Sequence, residues 1–204
     1  MLQVRGLTVA YPGQPALVRD WSVRIGAGVT QVLGDTGSGK STLIRVLAGT
    51  LSAAGRLTLA GVSLDEDGEA YRREVFFCEP SNDAFDQATA RQTTAALGAS
   101  DAKFDDAAWR ALIEGFALVP HLDKPMYMLS TGSRRKVWLA AALASGRTLT
   151  LLDEPTAALD AASVACLREA LVHLANRPDR VIVVASSERM EHVPLTASVE
   201  LPLT

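Results

Sequence analysis

The chain has 204 residues, a formal net charge of −3 and 48% hydrophobic residues, enough for one well-buried domain with at most a small inserted subdomain. Acids and bases are mixed along it without a basic cluster, which disfavours nucleic acid as a partner. Cys78 and Cys166 have no companion at metal-ligand spacing, and no apolar run approaches the roughly 20 residues that span a bilayer. We therefore expect a cytosolic domain that does not cross a membrane by itself.

The N-terminal part predicts a sheet that leads into a glycine-rich loop. Runs 2–10, 17–25 and 29–33 have strand character and are separated by glycines and Pro12. A helix is expected over 41–48. The intervening loop consists of Gly34, Asp35, Thr36, Gly37, Ser38, Gly39, Lys40, Ser41 and Thr42.

This loop predicts a nucleotide phosphate site. Its glycines let successive backbone N–H groups converge on phosphate oxygens, at the positive end of the following helix. Lys40 adds a mobile positive charge, and the Ser41 hydroxyl is placed to bind the magnesium ion that the nucleotide carries. The alternative is a surface turn that matches by chance, which is expected in about one in a hundred chains of this length.

The middle of the chain changes in texture. Strands are expected over 56–60 and 74–78, and the Ala-rich stretch that follows predicts helices over 87–97 and 105–117. We interpret residues from about 81 to 145 as an inserted helical subdomain.

The C-terminal part alternates helices with apolar strands. Helices are predicted over 133–144 and 163–175, strands over 149–152 and 181–185, and an edge strand over 198–203. Continuous apolar strands between helices indicate a parallel sheet covered on both faces, with the phosphate loop at its carboxyl edge.

The predicted fold class is therefore α/β. Residues 1–80 and 146–204 would form a phosphate-loop core with a parallel sheet and an N-terminal antiparallel β subdomain. The small helical subdomain is inserted between these two parts.

Asp153 and Glu154 follow a buried strand and stand out as candidates for chemistry. Asp153 could hold magnesium directly or through water, and Glu154 could orient or deprotonate the water that attacks a terminal phosphate. The alternative is that the two acids only cap a helix.

Taken in order, these motifs resemble those of the ATP-binding cassette (ABC) ATPases, the nucleotide-binding subunits of ABC transporters. Residues 34–42 match the Walker A loop, 149–154 the Walker B strand, 129–133 the signature motif and 158–160 the D-loop. Tyr11 stands where the family carries an aromatic residue that stacks on adenine. The resemblance covers nearly the whole chain and implies one ABC ATPase domain over 1–204, with ATP and Mg²⁺ as cofactors.

The resemblance also implies catalytic residues and partners. Glu154 and Lys40 would be catalytic, and Ser130 and Gly132 at a helix start would form a second anion site that completes the ATP site of another cassette. Asp160 would cross the same interface. Partners would be a second cassette, identical or different, and a membrane-spanning permease that holds the chain at the inner face of the cell membrane. The alternative for Ser130 is a plain helix cap.

The match to the family has departures. Glu79 stands where the family usually has a glutamine that touches magnesium, and its carboxylate could still bind the ion. Ser186 is aligned with the family's switch histidine and would contact the nucleotide in its place. A serine hydroxyl can donate one hydrogen bond but cannot carry positive charge. Thr131 and Ser133 also replace usual signature residues. We expect an ATPase that is slow in isolation.

The leading hypothesis is a subunit that binds and hydrolyses ATP and powers a membrane transporter through ATP-dependent dimerisation of cassettes. The alternative is a soluble regulatory or assembly switch of the ABC type with weak ATPase activity. A DNA-repair type of ABC ATPase would need a long coiled-coil or zinc insertion, which the sequence lacks.

Overall fold

A computed structural model describes residues 1–11, 13, 15–77 and 84–203. The strands are β1 (Leu2–Val9), β2 (Val18–Ile25), β3 (Gly28–Leu33), β4 (Ala54–Leu59), β5 (Val62–Ser63), β6 (Val75–Phe77), β7 (Leu149–Asp153), β8 (Val181–Ser186) and β9 (Leu195–Glu200). The helices are α1 (Lys40–Leu47), α2 (Gly68–Arg73), α3 (Ala90–Ala99), α4 (Asp106–Gly115), α5 (Thr131–Ala144) and α6 (Ala161–Ala175).

The N-terminal strands form an antiparallel sheet in the order β2-β1-β4-β5. In β1, Leu2, Val4, Leu7 and Val9 are buried and the residues between them are more exposed, as expected for a strand with one face on the core. The predicted antiparallel β subdomain is confirmed.

The second sheet is parallel, in the order β6-β7-β8-β3-β9. Its central strands are apolar and almost wholly buried, because helices cover both faces. Ile182 and Val184 of β8 face one core with α4, α5 and α6, while Val181 and Val183 face the other core with α1 and the antiparallel sheet. The predicted parallel sheet and α/β class are confirmed.

Helices α3, α4 and α5 pack together in the region predicted to be helical. Helix α5 also reaches the central core, where its last turns from Leu139 to Ala144 are fully buried. The division at residues 81 and 145 stays a prediction. In the described part of the chain no helix is both long and apolar enough to span a bilayer.

Arg180, at the start of β8, fixes the C-terminal end of α5. Its guanidinium is buried and donates to the carbonyls of Ala142 and Leu143 at 3.2 and 3.5 Å, and to Thr150 Oγ1 at 2.8 Å. A cation suits the carbonyl end of a helix, and burial lowers the pKa of Arg180 to about 10. The far end of α5 is therefore held against the sheet.

Two local features differ from the sequence-based expectations. The final edge strand covers 195–200 instead of 198–203. The chain then passes the end of β3, where Leu201 N–H donates to Leu33 O at 2.8 Å, and reaches the start of β2, where Leu203 N–H donates to Leu17 O at 3.0 Å. Helix α2 was not predicted. It has only six residues, of which Tyr71 alone is buried, too short for a helical period to show in the sequence.

Tyr71 links α2 to the end of α1 and allows a test of the packing. Its side chain is fully buried and its hydroxyl donates to Leu47 O at 2.8 Å. We expect Tyr71→Phe to lower the free energy of unfolding by about 1–3 kcal/mol, because a buried hydrogen bond is lost. Urea denaturation measures the change. Tyr127→Phe is the control, since the Tyr127 side chain is 57% exposed; equal losses in both variants would contradict the role of the Tyr71 hydroxyl.

Candidate nucleotide-binding site

The glycine-rich loop lies between β3 and α1 and lines an open pocket of about 570 Å³, a size typical of ligand sites. Gly37 and Gly39 have φ angles of 85° and 97°, which side chains disfavour. A Cβ on Gly39 would also lie 2.7 Å from Leu17 Cδ1. The lining residues are Tyr11, Leu17, Thr36, Gly37, Gly39, Lys40, Ser41, Thr42, Glu154, Ala157 and Ser187.

Lys40 and Glu154 meet in this pocket. Lys40 is 5% exposed; its Nζ donates to Gly34 O at 2.7 Å and Asp35 O at 3.0 Å, and lies 3.2 Å from Glu154 Oε1. A buried ammonium needs such partners, because an uncompensated charge in the interior is costly. The structure thus brings together a cation from the phosphate loop and an acid from the end of β7.

Glu154 is held from several sides. Its N–H donates to Ala185 O at 2.8 Å, and its carbonyl accepts from Arg135 Nη1. Carboxylate oxygen Oε2 accepts from the N–H and the hydroxyl of Ser187, at 3.2 and 3.4 Å. Its backbone has a φ of 43°, in the left-handed region that non-glycine residues occupy at a cost. This conformation and these contacts aim the carboxylate into the pocket.

Ser187, and not Ser186, is the serine that faces the pocket. Ser186 is the last residue of β8, is 2% exposed, and uses its Oγ to accept from Glu188 N–H at 3.1 Å. It is absent from the pocket lining, whereas Ser187 lines the pocket and contacts Glu154. The pocket geometry thus adds Ser187 as a candidate nucleotide contact, and the assignment of Ser186 stays a prediction. Sequence reasoning missed Ser187, although it immediately follows the strand end.

The structure describes two of the three predicted magnesium ligands, Ser41 and Asp153. Ser41 lines the pocket at the first turn of α1. Asp153 ends β7, and its Oδ1 is buried without a hydrogen-bond partner among the described residues. A buried carboxylate oxygen without a donor is costly, so it fits a cation ligand of the hard-oxygen type that Mg²⁺ prefers. Glu79 lies outside the described residues.

Tyr11 borders the other side of the pocket. Its hydroxyl is 2.8 Å from Thr42 Oγ1, and its side chain is 44% exposed. The hydrogen bond fixes an open aromatic ring beside the phosphate loop. This placement is compatible with the predicted stacking on a base.

The remaining loop residues support the pocket from behind. Gly34 and Asp35 provide carbonyls to Lys40, and the Ser38 hydroxyl is buried without a partner in the described part of the chain. These three predicted residues do not line the pocket themselves.

The predicted signature and D-loop residues lie outside this pocket. Ser130 caps α5 by accepting from Ser133 N–H at 3.1 Å, and Asp160 caps α6 by accepting from Ser163 N–H at 2.9 Å. Lys136 Nζ donates to Asp160 Oδ2 at 2.6 Å, and this bond, with that from Ser163, holds the pKa of the Asp160 carboxyl well below its ordinary value. Neither Ser130, Gly132 nor Asp160 lines the Lys40 pocket.

Comparison with known proteins gives a consistent result. The chain is 37% identical over 159 residues to the cytochrome c biogenesis ATP-binding export protein CcmA of Rhodospirillum rubrum, covering 77% of this chain and 68% of the relative. It is 34% identical over 172 residues to the cobalt import ATP-binding protein CbiO of Rhodobacter capsulatus, covering 79% of this chain and 61% of the relative. The chain thus spans about two thirds of the length of these relatives.

The fold also matches solved structures. A dimeric bacterial ABC transporter cassette superposes with a TM-score of 0.75 at 19% identity, over 92% of this chain and 88% of the other. The sequence model of the ABC transporter family matches residues 18–157, from β2 to the loop after β7. The chain belongs to the ABC transporter family, among its ATP-binding subunits.

Proposed function

We propose that this chain binds Mg²⁺–ATP in the Lys40 pocket and hydrolyses it to drive a membrane transporter. The observation that carries the proposal is the 3.2 Å contact between Lys40 Nζ and Glu154 Oε1. This contact supports the proposal because the cation expected to bind phosphate and the candidate general base lie together, beside a glycine-rich loop at a helix N-terminus.

The contacts of Lys40 suggest how the pocket would respond to ATP. Phosphate oxygens would compete with Glu154 for the Lys40 ammonium, since both are anionic acceptors. Glu154, released from this pair but still held by Ser187, could accept a proton from water as the water oxygen bonds to the terminal phosphorus and the bond to the bridging oxygen breaks. Magnesium, held by Ser41, Asp153 and, as the sequence suggests, Glu79, would neutralise charge that develops on the phosphates.

A single chain holds only part of such a site. Ser130 and Gly132 lie at the start of α5 and away from the Lys40 pocket, so they are available to a nucleotide bound by another cassette. The family resemblance and the dimeric state of a similar cassette support this arrangement. We propose a dimer in which the signature segment and Asp160 of one chain complete the ATP site of the other.

We further propose a membrane-spanning permease as the second partner, with the chain held at the inner membrane face through it. The relatives support coupling to transport, but one is named an export protein and the other an import protein. Co-purification in mild detergent separates this proposal from the soluble-switch alternative: a transporter subunit should bring a multi-span protein with it, whereas a soluble switch should not.

The role of Glu154 is tested by Glu154→Gln. We expect phosphate release to fall about 100-fold or more, because the amide cannot accept the proton, while ATP-stabilised dimers accumulate. Steady-state phosphate release and light scattering with ATP measure the two effects. Glu191→Gln, an exposed acid outside the pocket, is the control. Unchanged turnover in Glu154→Gln would refute the assignment of Glu154 as base.

The slow turnover that we propose is attributed to the missing histidine, and the position of Ser187 makes this testable. Ser187→His places an imidazole beside Glu154 and the pocket, and we expect turnover to rise about tenfold or more, since a charged donor stabilises the transition state better than a hydroxyl. Ser186→His puts the ring at a buried position, so we expect a lower melting temperature and no gain in turnover. A gain in turnover in Ser186→His but not in Ser187→His would instead show that Ser186 holds the position of the family's histidine.

A further inference from the structure

One face of α5 packs against the segment that follows β7. Gly132, Arg135 and Lys136 have the spacing that places side chains on one side of a helix. A Cβ on Gly132 would lie 2.6 Å from Ala158 O, so only a glycine permits this approach without a shift. Lys136 pairs with Asp160 one turn further along α5. The start of the signature helix therefore lies directly on residues 154–160.

Arg135 makes the contact nearest to the chemistry. Its Nη1 donates to the backbone carbonyl of Glu154, which also accepts from Ala157 N–H at 3.1 Å. The Arg135 side chain is only partly exposed, and a hydrogen bond from a cationic donor is stronger than one between neutral groups. The contact thus binds the backbone of Glu154 to α5.

The Glu154 backbone needs such support. Glu154 and Ala158 have φ angles of 43° and 61°, a region in which a residue with a side chain costs of order 1 kcal/mol or more and persists only where its surroundings fix it. Relaxation at Glu154 would turn its carboxylate away from Lys40 and Ser187. A donor to the Glu154 carbonyl opposes this relaxation.

We propose that Arg135 is a positioning residue for hydrolysis: it holds the backbone of Glu154 so that the carboxylate points at the attacking water. The inference rests on the proposed ATPase function. Arg135 does not line the Lys40 pocket, and its hydrogen bond at this site goes to the backbone of Glu154. It also lines, with Asp153, a separate cavity behind β7. We therefore expect its effect to pass through Glu154, and a change in nucleotide binding would indicate an effect through Asp153 instead.

The contact between Arg135 and Glu154 links two parts of one chain: the signature segment, which would complete the ATP site of the other cassette, and the glutamate of the chain's own ATP site. Helix α5 begins next to Ser130, which is proposed to face the nucleotide of the other cassette, and its far end is fixed by Arg180. A displacement of the signature segment therefore moves Arg135, and with it the backbone of Glu154. When the nucleotide of the second cassette engages the signature segment of one chain, the position of Glu154 in that same chain would therefore change.

The test compares Arg135→Ala and Arg135→Lys in the full chain. We expect Arg135→Ala to lower kcat about 10- to 100-fold, since a displacement of about 1 Å at a reacting group has this scale of effect, with the KM for ATP unchanged within about twofold. Arg135→Lys should recover much of the kcat, because an ammonium can still donate to a carbonyl. ATP-dependent dimerisation of Glu154→Gln should not change when Arg135→Ala is added.

A matched control is Arg134→Ala, which removes the same side chain one position earlier. Arg134 lines the same small cavity as Arg135 but pairs with Asp86 and not with the backbone of Glu154, so its loss should leave kcat unaltered. Arg135 lines an existing cavity of about 90 Å³, and its truncation enlarges this space without removing a fully buried side chain. A melting temperature close to that of the wild type confirms that Arg135→Ala is folded.

The outcomes separate this inference from the proposed function. If the wild type hydrolyses ATP, Glu154→Gln does not, and Arg135→Ala matches the wild type, the inference alone is overturned. A loss in Arg135→Ala that appears in KM or in dimerisation, or that Arg134→Ala shares, also overturns it, as does a failure of Arg135→Lys to exceed Arg135→Ala. A wild type without turnover would overturn both proposals.

Discussion

The site depends on three parallel strands that end at the same level. Leu33, the last residue of β3, is opposite Ser186 of β8, and Asp153, the last residue of β7, is opposite Ala185. Because parallel strands in register share one carboxyl edge, the loops that leave them open onto the same crevice. Lys40, Glu154 and Ser187 come from regions far apart in sequence and meet there. If β7 were shifted by one residue along the sheet, the side chains of Asp153 and Glu154 would each lie on the opposite face of the sheet.

The charges around Lys40 suit a pocket in which one anion could be exchanged for another. Lys40 is nearly buried, and Glu154 with the carbonyls of Gly34 and Asp35 satisfies its ammonium. In the proposed function, phosphate binding would replace one anionic partner of Lys40 by another instead of burying a new charge, which would limit the desolvation cost. The displaced Glu154 carboxylate would keep its donors from Ser187 and could then take a proton.

Sequence could predict the parts of this site that depend on local chemistry. The loop glycines, Lys40 and the acids at the end of β7 could be identified because few other roles explain these residue types at those positions. The sequence could not show whether Ser186 or Ser187 faces the pocket, since this depends on the residue at which β8 ends. The role of Arg135 could not be predicted either, because its partner is a backbone carbonyl that it reaches only when α5 crosses the end of β7.

In the proposed dimer, Ser133 would compete with the nucleotide for the hydroxyl of Ser130. Ser130 Oγ accepts from Ser133 N–H and donates to Ser133 Oγ at 3.0 Å, so its proton is already used within the cap. To donate to a phosphate of another cassette, the hydroxyl has to turn away from Ser133, at a cost near the roughly 1 kcal/mol of a net hydrogen bond. The cap from Ser133 N–H survives that rotation, because it uses a lone pair. Ser133, which stands where the family usually has glutamine, would thus set a small threshold for the proposed engagement. A phosphate could exceed this threshold, since bonds to ionised acceptors are about twice as strong as neutral ones.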